Sequence, residues 1–152
     1  MTNDRVIGKG NSLPWKIPEE LKFFKMMTIN QTIIYGSTTL ESIGHILMNR
    51  CNLILSSKPQ SYFDIYGGCQ VFSDFDECVK FAKTLSKDVY ICGGASVYKQ
   101  ALEKDFVDEL VISFIKKEYL GDVRFPDFVS MGWMTKEVIY ETDSFVTKKY
   151  RK

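Results

Sequence analysis

The stretch Val89-Tyr-Ile-Cys-Gly-Gly-Ala-Ser-Val-Tyr98 holds the fold in miniature. Its first four residues form a short, continuous apolar run, the pattern of a strand covered on both faces. Two glycines follow. A helical pattern then begins near Ala95, with Val97, Tyr98, Ala101 and Leu102 on one stripe. The same unit recurs upstream, where the strand Thr32-Ile-Ile-Tyr-Gly36 meets Ser37-Thr-Thr39 at the start of another helix. Asn52-Leu-Ile-Leu-Ser56 and Leu110-Val-Ile-Ser-Phe-Ile115 read as further buried strands. Phe75, Cys78, Val79, Ala82 and Leu85 keep helical spacing, and Ser73 and Asp74 precede them with Asp76 and Glu77 close behind, a capping-box signal. Pro18 opens one more helix, through about Thr28, where its missing N–H costs nothing. Strand–helix–strand alternation predicts an α/β fold: a mixed, mostly parallel sheet with helices on both faces. Residues 133–140 and 144–150 have no helix between them, which predicts a closing C-terminal antiparallel hairpin.

The 152 residues suit a single domain spanning 1–152, and a chain of this size buries a self-sufficient core. Eleven Phe, eight Tyr and two Trp make disorder a poor reading. Twenty basic against 19 acidic side chains argue against a nucleic-acid-binding function. The densest basic run, Lys148, Lys149, Arg151 and Lys152, reads as a solvated terminal strand. No apolar stretch approaches the roughly 20 residues of a membrane span. The polar N-terminus lacks a signal-peptide core, so a cytoplasmic protein is expected. Cys51, Cys69, Cys78 and Cys92 form no Cys-x-x-Cys pair and His45 is the only histidine, a poor basis for a zinc site. Cys78 and Cys92 read as small core hydrophobes. One histidine and no Gly-x-Ser-x-Gly leave a Ser-His-Asp hydrolase unsupported.

The chemistry concentrates in three places. In Pro18-Glu-Glu-Leu-Lys-Phe-Phe-Lys-Met-Met27, helical spacing puts Glu20, Phe24 and Met27 on one face with Leu21 beside them, and turns Glu19 away. A carboxylate on an apolar stripe is costly unless partnered, and desolvation raises its pKa. Such a group could bind a protonatable heterocycle or support proton transfer. An exposed first-turn Glu stabilised by the helix dipole is an equally good reading. Second, Cys92-Gly-Gly-Ala-Ser-Val-Tyr98 lets a ligand approach the backbone and offers helix N–H groups to a phosphate, or is a tight packed turn. Third, Gly36-Ser-Thr-Thr39 opens a helix after a strand. Together they suggest a phosphorylated ligand beside a second substrate.

Taken in order, the motifs resemble the dihydrofolate reductase family. They are Asp4-Arg-Val-Ile-Gly8, Asn11-Ser-Leu-Pro-Trp15, Pro18-Glu-Glu-Leu-Lys-Phe-Phe24 and Ile34-Tyr-Gly-Ser-Thr-Thr-Leu-Glu-Ser-Ile43. Arg50 before Asn52-Leu-Ile-Leu-Ser-Ser57, Ile91-Cys-Gly-Gly-Ala-Ser-Val-Tyr98 and Gly121-Asp-Val-Arg-Phe-Pro126 complete the series over nearly the whole chain. The resemblance implies a dihydrofolate-reductase-like fold and the reduction of 7,8-dihydrofolate to tetrahydrofolate with hydride from NADPH. It matches Glu20 to the acid that holds the pterin through N3 and the 2-amino group. Ser113 stands for a Thr that bridges this carboxylate to the pterin, and Trp15 for the residue that positions a water near it. Leu21, Phe24, Ile43 and Leu47 resemble the walls around the pterin and benzoyl groups. Arg50 matches the arginine for the glutamate-tail carboxylate. Ile7, Gly8, Asn11 and Leu13 belong to the segment over the nicotinamide, near which Tyr98 would stabilise developing charge. Gly36, Ser37, Thr38, Thr39, Ser56, Ser57, Cys92, Gly93, Gly94, Ala95, Ser96 and Val97 would line the cofactor. The family joins the two glycines by a cis peptide.

Three departures stand out. Ser37 and Ser96 occupy common Arg positions, leaving Ser57 and Lys58 for the 2′-phosphate, so NADH is an alternative to NADPH. Only Met1, Thr2 and Asn3 precede the first motif, where the family has an apolar strand inside the sheet. Its absence would leave neighbouring strands without ladder partners unless upstream residues or another segment fill the gap. Finally, Cys92, Leu40 and Asn49 replace Ile or Val, Trp or Phe, and Gly; Asn tolerates left-handed backbone better than most residues. Two alternatives follow: a ligand-binding protein with little turnover, or a same-fold reductase of another pteridine or pyrimidine. The expected state is a monomer or weak homo-oligomer.

Overall fold

The computed structural model describes residues 1–10 and 12–152. The chain forms two compact units, Met1–Lys22 with Ala101–Lys152, and Phe23–Gln100. The elements run β1 (Val6–Gly8), α1 (Pro18–Thr28), β2 (Thr32–Gly36), α2 (Ser37–Ile43), β3 (Cys51–Leu55), a 3-10 helix (Gln60–Tyr66), β4 (Cys69–Phe72), α3 (Phe75–Lys83), β5 (Val89–Ile91), α4 (Ala95–Glu103), β6 (Leu110–Ile115), β7 (Val123–Arg124), β8 (Met134–Glu141) and β9 (Phe145–Arg151).

The unit Phe23–Gln100 is built on a four-stranded, wholly parallel sheet in the order β4-β3-β2-β5. Its two inner strands are the continuous apolar runs seen in the sequence: Ile33, Ile34, Tyr35, Leu53 and Ile54 are buried. One core cluster joins Ile33, Tyr35, Leu40, Ile54 and Phe63. The Asp74 carboxylate caps α3, accepting from the N–H groups of Asp76 and Glu77. Parallel strands need crossovers, and α2 and α3 supply two of them.

A polar residue sits in the middle of this apolar sheet. Asn52 is 2% exposed yet fully engaged. Its Oδ1 accepts from the Tyr35 hydroxyl at 2.6 Å and the Leu47 N–H at 3.0 Å. Its Nδ2 donates to the carbonyls of Leu47 at 2.8 Å and Arg50 at 2.9 Å. These bonds tie the 47–50 segment to β3. Asn49 turns that segment with φ 59, the left-handed backbone for which Asn is suited.

The unit Met1–Lys22 with Ala101–Lys152 holds the antiparallel sheet β6-β9-β8 and the short pair β1-β7. Ile112, Ile115, Phe145, Thr147 and Tyr150 are buried, and Phe128 packs edge-on to both Phe125 and Tyr150. The terminal basic residues are paired: Lys149 with Glu109 and Glu137, Arg151 with Glu109, Lys152 with Asp105. Lys148 lies over the Phe114 ring. Met1 runs along β6. Its α-amine donates to the Ser113 carbonyl at 2.6 Å, and its carbonyl accepts from the Ile115 N–H at 2.8 Å. Thus β6 has a partner on that side, the alternative in which another segment fills the gap. In the parallel sheet β5 is an edge strand.

Asn52→Ala would strip partners from two backbone carbonyls, one N–H and the Tyr35 hydroxyl. At about 1–3 kcal/mol for each buried group left unsatisfied, with partial relaxation, the loss should be roughly 3 kcal/mol or more. Urea unfolding should show a lower midpoint at an unchanged slope.

Candidate active site

One candidate group of residues belongs to the unit that contains the N-terminus. α1 begins on Pro18 and carries Glu19 and Glu20 in its first turn. The helix separates their fates: Glu19 is exposed, whereas Glu20 is half-buried. The indole N–H of Trp15 donates to Glu20 Oε2 at 2.9 Å, and Trp15 itself is buried. Burial raises the Glu20 pKa above its usual 4.5, and the Met1 ammonium and the indole N–H partly oppose the rise. Burial also lowers the Met1 α-amine to about 6, with Glu20 pulling the other way. The carboxyl is therefore placed to hold or release a proton nearer neutrality than an ordinary Glu.

The hydroxyl of Ser113, expected to bridge the acid to a pterin, has a protein partner of its own. Ser113 Oγ pairs with Thr147 Oγ1 at 2.7 Å, across the β6–β9 register that sets the two residues opposite each other. Trp15, expected beside the acid, touches it directly through its indole N–H. Gly8 is buried and Ile7 half-buried on β1, while Leu13 and Leu21 are exposed at 52% and 56%. Asn11 lies outside the described residues. Asp122 anchors the segment after β1: its Oδ1 accepts from the Gly10 N–H at 2.9 Å and its N–H donates to the Gly8 carbonyl at 3.1 Å. A Cβ on Gly121 would collide with that carbonyl and with Val6, so the neighbouring position requires glycine.

A second candidate group belongs to the parallel sheet of the other unit. Because β3, β2 and β5 run parallel and adjacent, their carboxyl ends share one edge. That edge carries Gly36 to Thr39, then Ser56 and Ser57, then Cys92 to Val97. In an open α/β sheet this is where ligands bind. The Gly93–Gly94 peptide is cis and Gly93 has φ 116. The Gly93 carbonyl accepts from the Gly36 N–H at 2.9 Å, joining the first and third turns. A Cβ at Gly36 would lie 3.3 Å from Val97, and one at Gly94 would lie 3.5 Å from the Thr39 hydroxyl. The Tyr98 hydroxyl lies 3.4 Å from the position of a Cβ on Gly93. This narrow turn of backbone and hydroxyls opens onto the start of α4, whose N–H groups could hold an anion such as a phosphate. Thr38, Ser57 and Ser96 are exposed there, with Ser37, Ser56 and Ala95 half-buried. The Ser56 hydroxyl accepts from the Lys58 N–H. Burial pushes the Cys92 thiol up to about 12, so it stays protonated.

On the same unit, Phe24 and Leu47 are half-buried and Ile43 is 38% exposed. Arg50 is braced rather than loose. Its Nε donates to the Met48 carbonyl at 3.0 Å and its Nη1 to the Thr28 hydroxyl at 3.1 Å. A braced guanidinium keeps further donors for a carboxylate. The sequence reading missed Asn52, Thr147, Asp122 and Tyr119, whose ring centroid lies 5.7 Å from that of Trp15. Of these, Asn52 and the Asp after Gly121 fall in motifs quoted for the family, and Thr147 and Tyr119 do not.

A half-buried carboxylate on one unit, and a glycine-lined anion cradle at the carboxyl edge of a parallel sheet on the other, are the parts of a nucleotide-dependent oxidoreductase. The sequence model of the family described as dihydrofolate reductase matches residues 1–150, and the chain belongs to that family. It is 37% identical to the dihydrofolate reductase of Mycoplasma genitalium over 155 aligned positions, covering 100% of this chain and 94% of that one. It is 36% identical to the Bacillus subtilis enzyme over 133 residues, 88% of this chain and 76% of the other. Among solved structures, Enterococcus faecalis dihydrofolate reductase complexed with NADP(H) and RAB-propyl superimposes with a TM-score of 0.86. That match has 29% identity and covers 99% of this chain and 90% of the other.

A raised carboxyl pKa has a consequence for stability. The folded chain holds the Glu20 proton more tightly than the unfolded chain does, so this group's contribution falls as pH rises above about 4.5. The Met1 amine has the opposite slope, between about 6 and its usual 8. Glu20→Gln keeps an acceptor for Trp15 and removes the buried charge. At pH 7 it should unfold at the same or a higher temperature than the parent, and its stability should fall less between pH 4.5 and 6. Thermal melts across that range would read this.

Proposed function

We propose that this chain reduces 7,8-dihydrofolate to 5,6,7,8-tetrahydrofolate, acting over residues 1–152 as one dihydrofolate-reductase-like domain. The observation that carries this reading is the Glu20 carboxylate, half-buried and held by the Trp15 indole in a chain that matches the family from 1 to 150. NADPH, when bound, supplies the hydride.

Glu20 accepts hydrogen bonds from the pterin N3 and 2-amino group and so fixes the ring's orientation. Its negative charge favours the N5-protonated substrate, while the proton itself arrives through solvent. Trp15 keeps the carboxyl in one rotamer. Leu21, Phe24, Ile43 and Leu47 give the pterin and benzoyl rings apolar surface, which explains why large apolar side chains are left partly exposed. Arg50, braced by Thr28 and Met48, pairs with the α-carboxylate of the glutamate tail. Residues 36–39, 56–57 and 92–97 line the cofactor, and Ile7, Gly8 and Leu13 cover the nicotinamide, near Tyr98. Ser37 and Ser96 supply no positive charge, so discrimination between NADPH and NADH falls to Ser57 and Lys58. The four free cysteines suit a reducing, cytoplasmic setting. Among the described residues no helix is long and apolar enough to cross a membrane. The working state is a monomer or weak homo-oligomer.

The test is NADPH oxidation by this chain with dihydrofolate, followed at 340 nm. Turnover that drops about 100-fold or more in Glu20→Gln is the expected result, a loss of roughly 2.7 kcal/mol. A folded, soluble sample without turnover, yet binding both ligands, would reduce the reading to a ligand-binding relative.

Arg50→Ala should act on substrate affinity. Losing a charge-assisted pair worth about 1.5–3 kcal/mol should raise KM for dihydrofolate roughly 10- to 150-fold and leave kcat within a few-fold. The same variant should discriminate poorly against a substrate analogue that lacks the α-carboxylate.

A further inference from the structure

We infer that Tyr119 is a positioning residue of the pterin site: its ring packs on Trp15 and holds the indole where Nε1 donates to Glu20. The inference rests on the assignment of Glu20 under the proposed function.

Tyr119 lies in the segment between β6 and β7. Its neighbours Glu118 and Leu120 are exposed, Leu120 at 86%, whereas Tyr119 is half-buried. Its ring meets Trp15 with centroids 5.7 Å apart and planes tilted by 55°, a favourable aromatic geometry. The Lys117 ammonium lies 5.5 Å from the Tyr119 ring centroid. The backbone that carries the ring is fixed. Asp122, three residues on, is bonded to both Gly8 and Gly10, and Gly121 sits against Gly8 and Val6 with no room for a Cβ.

The other end of the contact is the acid. Trp15 has a polar partner, Glu20, only while its indole edge faces the carboxylate. The groups acting on Glu20 are this N–H and the Met1 α-amine. A ring that fixes the tilt of the indole therefore controls one of the two interactions that keep the carboxylate charged. Nothing in the apolar periodicity of the sequence marks Tyr119, because it lies outside every strand and helix.

Steady-state kinetics of Tyr119→Phe, Tyr119→Ala, Trp15→Phe and the Tyr119→Ala/Trp15→Phe double variant test the inference, each over pH 5–9 and beside thermal melts. Tyr119→Phe keeps the ring and should match the parent. Tyr119→Ala should lower kcat/KM for dihydrofolate about 3- to 10-fold and move the apparent pKa of the pH–rate profile upward. Trp15→Phe should move it in the same direction. The double variant should be no worse than Trp15→Phe alone, since both changes break one linkage. If Tyr119→Ala is too unstable, Tyr119→Leu fills the volume without a ring and is read in the same way. A folded Tyr119→Ala or Tyr119→Leu variant with parental kcat/KM and pH profile overturns the inference. So does a double variant whose losses multiply. Glu20→Gln, run alongside, separates the two levels. Parental turnover in Glu20→Gln means the assignment of the acid has failed, whereas an inactive Glu20→Gln beside a neutral Tyr119→Ala sinks the role of Tyr119 alone.

Discussion

Parallel pairing around β2 is the constraint on which the cofactor side depends. A strand flanked by parallel neighbours delivers its own carboxyl end and theirs to one edge of the sheet. Three turns far apart in sequence, after β2, β3 and β5, are therefore neighbours by necessity. The apolar character of the inner strands is the other side of the same fact. A parallel sheet is stable only when both faces are covered, so Ile33, Ile34, Leu53 and Ile54 are buried and the polar chemistry is pushed to the strand ends. Asn52 is a large polar exception inside the sheet. Its four hydrogen bonds offset the cost of burying its amide, and they hold the segment that carries Leu47 and Arg50.

The candidate substrate side depends on a different balance. A carboxylate is stable in water and costly when desolvated, and Glu20 sits between these limits. The Trp15 N–H and the Met1 α-amine offset part of the cost, and burial keeps the proton affinity raised. Such a group is worth less to stability than a neutral residue of the same shape. Its proposed value is chemical: a partly satisfied carboxylate keeps an acceptor for a ring that presents paired N–H donors. The exposed Leu13, Leu21 and Ile43 belong to the same economy, as apolar surface that water covers poorly.

Much of the fold was legible in the sequence because its longer elements carry clean signals. α1 spans Pro18–Thr28, as Pro18 and the apolar spacing predicted, and β2 and β6 match the apolar runs residue for residue. Asp74 caps α3 as its spacing implied. The elements that went unread are β1, β4, β7 and the 3-10 helix. Strands of two to four residues complete no period, and their existence depends on a partner strand. The parallel sheet and the antiparallel C-terminal strands that the sequence predicted are both present, as β4-β3-β2-β5 and β6-β9-β8, and β1 pairs with β7.

The sequence by itself determined the family, through motifs in fixed order, and picked Glu20 over Glu19, because helical periodicity alone separates an apolar face from a wet one. It also determined the glycine-rich turns, since backbone that must approach closely tolerates no Cβ. Only the tertiary structure decided the partners of those groups. Trp15 bonds the acid directly, Ser113 turns to Thr147 across 34 positions of sequence, and Tyr119 meets Trp15 from a segment with no periodic signal. Side-chain partners at long sequence separation are set by strand register and loop anchoring, and neither leaves a local pattern for a sequence to display.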